Sequence, residues 1–169
     1  MPPCEVIGLG YCSWDYLGIL DHIPDFDAPT ESMSDFAISG GGPVATALSA
    51  LAHLGVRTGY IGALGGDEPG RSALAAFQQE GIDTQRLRVQ PGARSAVCFS
   101  LVQTKTAKRV ILCYRGTTTP LQLDKRDRDY IAAAPFLHLD GHHMAAAIEA
   151  ARIVHEAGGT VVLDANRPR

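Results

Sequence analysis

Apolar residues recur along the chain in two spacings, one typical of buried strands and the other typical of amphipathic helices. Short apolar runs that end at glycine or at polar residues predict strands over 6–10, 58–64, 136–139 and 160–163. Apolar residues three and four positions apart predict helices over 43–54, 68–80, 123–133 and 144–157. This alternation of strands and helices predicts an α/β fold, built in layers around a largely parallel sheet.

The predicted helices have start and stop signals that agree with the apolar pattern. Pro43 suits the first turn of the helix over 43–54, and Gly55 suits the position just past its end. Asp67 is placed to cap the next helix, and Gly81 is placed to end it in a left-handed conformation. We therefore expect Asp67 to act as a helix cap.

Four further segments have apolar residues without a helical period. Residues 15–23 and 33–39, on either side of a turn rich in Pro and Asp, predict two exposed strands or a flap. Residues 96–102 and 109–114 predict a β-hairpin closed by the polar segment 103–108. Both faces of this hairpin are partly apolar, and an isolated hairpin cannot bury two faces. We therefore expect one face to meet another surface.

Composition and charge exclude some classes of molecule as binding partners of the chain. The chain has 169 residues, 46% of them hydrophobic and 20% charged, as in an ordinary globular domain. The formal net charge of −3 excludes a broad basic surface for nucleic acid. No stretch approaches the ~18 consecutive apolar residues of a membrane span. Neither nucleic acid nor a membrane is therefore expected as a partner.

The cysteines are isolated from one another in sequence. They are Cys4, Cys12, Cys98 and Cys113, and they form no Cys-x-x-Cys pair. This spacing argues against a structural zinc site and against a disulfide framework. The sequence predicts four small, mostly buried thiols in a reducing cytosol, and hence a cytoplasmic protein.

His142 and His143 are adjacent and could suggest a metal site. Adjacent side chains point in different directions, and no carboxylate or cysteine stands at a suitable ligand spacing. We therefore expect solvated or capping histidines and no bound metal.

Two glycine-rich segments invite comparison with nucleotide-binding motifs. Gly8 and Gly10 begin like a dinucleotide fingerprint, but Ser13 stands where the third glycine belongs, which favours a simple tight turn. The segment Gly40-Gly41-Gly42-Pro43 leads directly into a helix and lacks the Gly-Lys-Ser/Thr of a phosphate loop. It allows two interpretations, a backbone that approaches a ligand closely or a flexible loop that only changes the direction of the chain.

Three segments together resemble the ribokinase-like (PfkB) family of carbohydrate kinases. The first is the glycine segment with its helix, which reads GGGPVATA over 40–47. The others are GALGGDEPG over 62–70 and DANR over 164–167, and ordered matches extend over essentially the whole chain. The resemblance implies a ribokinase-like three-layer sandwich over 1–169, with a small β lid formed by segments at about 14–39 and 96–115. It also implies that the C-terminal part of the fold is missing from this sequence.

The resemblance implies a sugar-binding site on this chain. Asp15 matches the aspartate that hydrogen-bonds sugar hydroxyls, and Gly41 and Gly42 match glycines that present their backbone to the sugar. Thr46 stands where many relatives carry Asn, a departure that leaves the identity of the substrate open.

Two further positions match substrate contacts of the family less closely. Asp140 follows the strand predicted over 136–139, where relatives often carry an acidic or polar contact, but an ordinary loop aspartate is an equal alternative. Asn166 follows the last predicted strand, at the end of the sheet where α/β folds place their ligands.

The resemblance also implies a reaction that this chain does not carry alone. Its relatives transfer a phosphoryl group from ATP with Mg²⁺ to a sugar hydroxyl, using a second signature with the catalytic base that this sequence lacks. We expect no catalytic residue in this chain, no activity when it is alone, a homodimer through the β lid and an exposed apolar edge at 160–163. The alternative is a non-catalytic, kinase-like module for sugar binding or dimerisation.

Overall fold

A computed structural model describes residues 4–25 and 27–165 of the chain. The strands are β1 (Val6–Leu9), β2 (Ser13–Leu20), β3 (Asp35–Gly41), β4 (Thr58–Gly65), β5 (Leu87–Gln90), β6 (Val97–Gln103), β7 (Arg109–Tyr114), β8 (Phe136–Leu139) and β9 (Thr160–Leu163). The helices are α1 (Pro43–His53), α2 (Glu68–Gln79), α3 (Lys125–Ala132) and α4 (Met144–Glu156).

Five parallel strands form the main sheet, in the order β5-β4-β1-β8-β9. Successive side chains of a strand point to opposite faces, so the sheet has two apolar faces to cover. Helices α1 and α2 cover one face through Val44, Leu48 and Phe77. Helices α3 and α4 cover the other through Ile131 and Val154. This confirms the predicted α/β layers and the largely parallel sheet.

The remaining strands form a second sheet of four, in the order β3-β2-β6-β7. The segments expected as a flap and as a hairpin are therefore neighbours, because β2 pairs with β3 on one side and with β6 on the other. We call this the small sheet. Its inner face carries Asp15 beside Cys98, and its outer face carries Tyr16 beside Phe99.

The outer face of the small sheet is apolar and uncovered. Phe36, Ile38, Phe99 and Leu112 are each about half exposed on it. The ring of Tyr16 stacks between two of them, with centroid distances of 5.2 Å to Phe99 and 6.2 Å to Phe36. A patch of aromatic and aliphatic side chains of this kind is typical of a protein–protein contact surface.

The prediction that all four cysteines are thiols is wrong for two of them. Cys98 and Cys113 form a disulfide between β6 and β7. The hairpin register places them directly opposite each other, with their Cα atoms 4.2 Å apart, although 15 residues separate them in sequence. Cys4 and Cys12 are buried free thiols, as expected.

Strand β9 lies at the edge of the main sheet and pairs only with β8 among the described strands. Its residues Val162 and Leu163 are more than half exposed, which confirms the expected apolar edge. On the α1 side of the sheet, Phe136 and Val162 line an apolar groove of about 540 Å³ together with Leu51.

Within the described ranges, no helix is long and apolar enough to cross a membrane.

Candidate functional site

The carboxylate of Asp15 is held on the inner face of the small sheet by its own strand and by the glycine segment. The buried hydroxyl of Ser13, two residues earlier and therefore on the same face, donates to Asp15 Oδ1 at 2.6 Å. Gly41 is registered opposite Ser13 on β3, and a Cβ atom at Gly41 would collide with the Asp15 carboxylate. The absence of a side chain at Gly41 thus allows the carboxylate its position.

The glycine segment turns sharply into α1. Gly42 is the N-cap of the helix and has a φ of +102°, a conformation that L side chains rarely adopt. A Cβ atom there would also collide with the carbonyl of Tyr11. Gly40, in contrast, is exposed and has open space around it. Two of the three glycines are therefore required by the local packing.

Asp140 is buried where β1, α1 and the loop after β8 meet. Its Oδ2 accepts hydrogen bonds from the backbone N–H of Tyr11 at 2.8 Å and of Val44 at 3.5 Å. Its Oδ1 accepts from the backbone N–H of His142 at 3.1 Å and pairs with His142 Nδ1 at 3.0 Å. Both oxygens are engaged by the protein, so Asp140 joins three elements at the site.

A cavity of about 370 Å³ opens beyond the carboxyl ends of β1 and β8, the end of an α/β sheet where ligands bind. Asp15 does not line it, but Tyr11 on its wall has its Oη 4.0 Å from the sulfur of Cys98, which is registered beside Asp15 on the small sheet. No carboxylate lines it. Its lining residues are Gly10, Tyr11, Cys12, Ala63, Ala96, Arg115, Thr118, Pro120, His142, His143 and Met144.

The two histidines of this cavity are fixed by different contacts. His142 pairs with Asp140, and its ring stacks on Tyr11 at 4.7 Å between centroids. His143 is the N-cap residue of α4, and its Nδ1 accepts the backbone N–H of Leu121 at 3.4 Å. Burial, with the neighbouring His142, lowers the pKa of His143. His143 is therefore a neutral ring with its proton on Nε2.

Thr46 lies one turn into α1 and is exposed. It lines a smaller cavity of about 170 Å³, together with Ser39 of the inner face and Glu80. Cys12 lines both cavities, so the two are neighbours on either side of the same short segment.

Asp67 caps α2, as the sequence predicted. It accepts hydrogen bonds from the backbone N–H of Gly70 and from both the backbone and the hydroxyl of Ser95, at 2.7–3.2 Å. Burial raises the pKa of Asp67, but these hydrogen bonds outweigh that effect and hold it below its ordinary value. The carboxylate is fully used in joining α2 to the segment before β6.

Asn166 lies outside the described residues, so its predicted contact with the substrate stays a prediction. Sequence reasoning missed Ser13 and Arg115. The spacing of two between Ser13 and Asp15 on a predicted strand was a usable signal, because such residues share a face. Arg115 follows Cys113 by two residues, a relation that becomes informative only once the register of the hairpin is known.

Residues 6–168 match the family described as pfkB family carbohydrate kinase. The chain belongs to this family. Its similarity to solved pfkB-type structures supports the same fold. A putative ribokinase from Agrobacterium tumefaciens superposes with a TM-score of 0.88, at 22% identity over 98% of this chain and 54% of that one. An Arabidopsis thaliana ribokinase complexed with ribose and ATP gives 0.81, at 20% identity over 95% and 53%.

Curated relatives of this pfkB chain are sugar kinases. An ATP-dependent ribose-1-phosphate kinase from Halopiger xanaduensis is 30% identical over 163 residues, which cover 96% of this chain and 54% of the relative. A 5-dehydro-2-deoxygluconokinase from Clostridium perfringens is 28% identical over 149 residues, covering 83% and 44%. The chain thus spans about half the length of the curated relatives it matches.

Proposed function

We propose that this chain is the sugar-binding half of an ATP-dependent carbohydrate kinase that phosphorylates a hydroxyl group of a small sugar. The observation that carries the proposal is the position of Asp15, held by Ser13 and packed against Gly41 of the glycine segment in a pfkB-family chain. A carboxylate has several acceptor positions and can bind two neighbouring hydroxyls of a sugar at once.

The other residues are given roles around this carboxylate. Gly41 and Gly42 offer backbone without side chains, so a sugar can approach them closely. Thr46 and Asn166 would add short polar contacts. Asp140 is proposed to act mainly by holding Tyr11 and His142 in place, since its own oxygens already accept hydrogen bonds from the protein.

ATP enters the proposal through the relatives, one of which is ATP-dependent by name and another of which is a structure complexed with ATP. ATP would supply the transferred phosphoryl group, and Mg²⁺ would neutralise charge on its phosphates. The described residues hold no group of three or more His, Cys, Asp or Glu side chains that could bind a metal ion. The proposal gives the described residues no part in holding Mg²⁺ or in acting as the catalytic base, and the part it gives them is to bind and orient the sugar.

A second candidate is a non-catalytic module that binds sugar or dimerises. The uncovered apolar outer face of the small sheet favours this module, because that face can pack against another molecule without any catalytic residues. The natural reading frame distinguishes the two candidate functions. A continuation past residue 169 into a Gly-Ala-Gly-Asp segment supports the kinase, and a stop codon there supports the module. A cytoplasmic location stays a prediction from the sequence.

The sugar-binding role is tested by titrating the chain with ribose and with fructose in an isothermal calorimeter. Asp15→Asn should weaken binding at least tenfold, because the amide replaces one acceptor oxygen with a donor group. The matched control is Asp35→Asn, an exposed aspartate at the far end of the small sheet. Equal affinities for the wild type and Asp15→Asn would overturn the assignment.

A further inference from the structure

We propose that the disulfide between Cys98 and Cys113 is a reversible site of thiol–disulfide exchange, and that its reduction releases β7 at the edge of the small sheet and weakens sugar binding. The effect on sugar binding rests on the proposed function, because it takes the sugar to be held by Asp15. The exchange reaction and the release of β7 do not depend on that function.

The disulfide lies next to the proposed sugar site. Cys98 is registered beside Asp15 on the neighbouring strand, and both side chains lie on the inner face of the small sheet. The hydroxyl oxygen of Tyr11, on the wall of the cavity of about 370 Å³, is 4.0 Å from the Cys98 sulfur. A movement of β6 therefore changes the surroundings of both Asp15 and Tyr11.

One end of the disulfide is accessible from solvent. Cys113 lies on β7, whose six residues are all exposed, whereas Cys98 on β6 is buried. A thiol can therefore reach the bond from the side of Cys113, and exposed disulfides are in general the labile and regulatory ones. The two free cysteines, Cys4 and Cys12, are buried, so they take no part in the exchange.

The exchange consumes two molecules of a thiol reductant. A thiolate attacks the sulfur of Cys113, the S–S bond breaks, and the Cys98 sulfur leaves with the electron pair. This sulfur takes up a proton, because a thiolate there would stand beside the carboxylate of Asp15. A second thiolate attacks the reductant's sulfur in the mixed disulfide and releases Cys113, which also takes up a proton. The reductant leaves as a disulfide, and a disulfide oxidant reverses both steps.

Reduction leaves β7 held mainly by its hydrogen bonds to one neighbour. It is the last strand of the small sheet and pairs with β6 alone among the described strands. Its exposed side chains add few buried apolar contacts, and segments of this kind open at a low free-energy cost. The chain after β7 stays attached, since Thr117 and Arg94 exchange two hydrogen bonds of 2.9 Å. The opening is therefore local, and reoxidation can close it.

The exchange is tested on the folded 169-residue chain in buffers of reduced or oxidised glutathione. After an acid quench, alkylation in denaturant and mass spectrometry count the thiols. We expect four thiols in reduced glutathione and two in oxidised glutathione, in either order of treatment. Cys113→Ser is the control and should keep three thiols in both buffers. A bond that survives reduced glutathione in the folded chain and breaks only in urea is purely structural, and this result would overturn the proposal.

The release of β7 is measured by amide hydrogen exchange in the oxidised and reduced states. Reduction should speed exchange in β7 about tenfold or more and leave β1 and β4 of the main sheet unchanged. Cys113→Ser should exchange like the reduced wild type, with or without reductant. Equal exchange of β7 in both states of the wild type would show that the bond does not hold this strand, and would contradict the proposed release.

The effect on sugar binding is measured as the dissociation constant of ribose, by calorimetry on both states of the wild type. We expect reduction to weaken binding about fivefold or more, because Asp15 loses a fixed neighbour. The reductant should have no effect on Cys113→Ser, which controls for the reductant itself.

The outcomes separate this inference from the proposed function. If Asp15→Asn weakens ribose binding while the two redox states bind ribose equally, the sugar site stands and its control by the disulfide is wrong. If neither state binds ribose, the proposed function falls together with the effect on sugar. The thiol counts and the amide exchange rates then still decide whether the disulfide is an exchange site that holds β7.

Discussion

The hydroxyl of Ser13 donates to Oδ1 of Asp15 at 2.6 Å from a buried position on the same strand. This contact fixes one oxygen of the carboxylate and leaves the other for a ligand. Replacement of Ser13 by alanine removes a hydrogen bond to a charged group, which contributes about 1.5–3 kcal/mol in proteins. We expect Ser13→Ala to weaken ribose binding about tenfold, measured by calorimetry. Ser72→Ala, at a partly exposed position of α2, should leave binding unchanged, and an equal loss in both variants would count against a specific role for Ser13.

The buried carboxylate of Asp127 is a second place where one substitution should have a large effect. It is fully buried and pairs with Arg86 at 2.9 Å and with Arg88, which tie β5 to the start of α3. Removing one member of a buried ion pair costs about 3–5 kcal/mol when its partner is left buried and unpaired, but Arg86 and Arg88 are partly exposed and keep Asp124 as a second partner. Asp127→Asn should therefore lower the free energy of unfolding in urea by about 2–3 kcal/mol, below that range. Asp129→Asn, which breaks the exposed pair with Lys125, should change it by less than about 1 kcal/mol.

The disulfide between Cys98 and Cys113 predicts how many cysteines react with a thiol reagent. Burial raises the pKa of the Cys12 thiol to about 12 and also raises that of Cys4, so neither forms a thiolate at pH 8. At pH 8 the native chain should show no reactive thiol. The unfolded chain should show two, and the unfolded chain treated with a reductant should show four. Four reactive thiols without a reductant would show that Cys98 and Cys113 are not bonded.

The hydrogen bonds of Asp67 predict that the free energy of unfolding falls as the pH falls through the acid range. The pKa of this carboxyl is lowered in the folded state from its ordinary value of 3.8. A depressed folded pKa contributes stability above the unfolded value, and this contribution is lost as the pH falls through the folded pKa. The difference in unfolding free energy between the wild type and Asp67→Asn should therefore be constant above about pH 5 and shrink below pH 4. A difference that stays constant from pH 6 to pH 2.5 would contradict the assignment.

The outer face of the small sheet predicts self-association. Phe99 and Leu112 are neighbours on this face and are half exposed, so burying them against a second copy removes apolar surface from water. We expect a dimer by light scattering at high concentration and a monomer for Phe99→Glu. Ile148→Glu, on the exposed side of α4, is the control and should leave the dimer intact. A monomeric wild type at high concentration would rule out this interface.

The sequence predicted the main sheet and its helices well because their signals are local. Helix α1 carries its apolar period, Pro43 at its start and Gly55 past its end within one short segment. Strand β5 was not predicted, because Arg88 interrupts its four residues and the partner that accounts for this arginine, Asp127, lies in a distant helix.

The site was predictable only where it depends on motif or on strand alternation. Asp15 and the glycine segment follow from the resemblance, and the prediction for Gly41 now has a physical reason in the collision that a side chain would cause. The Cys98–Cys113 bond and the placement of Arg115 depend on the register of β6 against β7, which no spacing in the sequence specifies. The hydrogen bonds of Asp140 join segments that are far apart in the chain, so they could not be inferred from its own neighbourhood.

Strand β1 lies in the middle of the main sheet, between β4 and β8, with residue 6 paired to residue 58 on one side and to residue 136 on the other. During synthesis on a ribosome, β1 therefore has to wait for most of the described chain before its second neighbour exists. Contacts so distant in sequence close large loops and fold slowly. We expect β1 to pack first against α1 and β4, and the cavity at the carboxyl ends of β1 and β8 to form late, when β8 brings Asp140 to Tyr11.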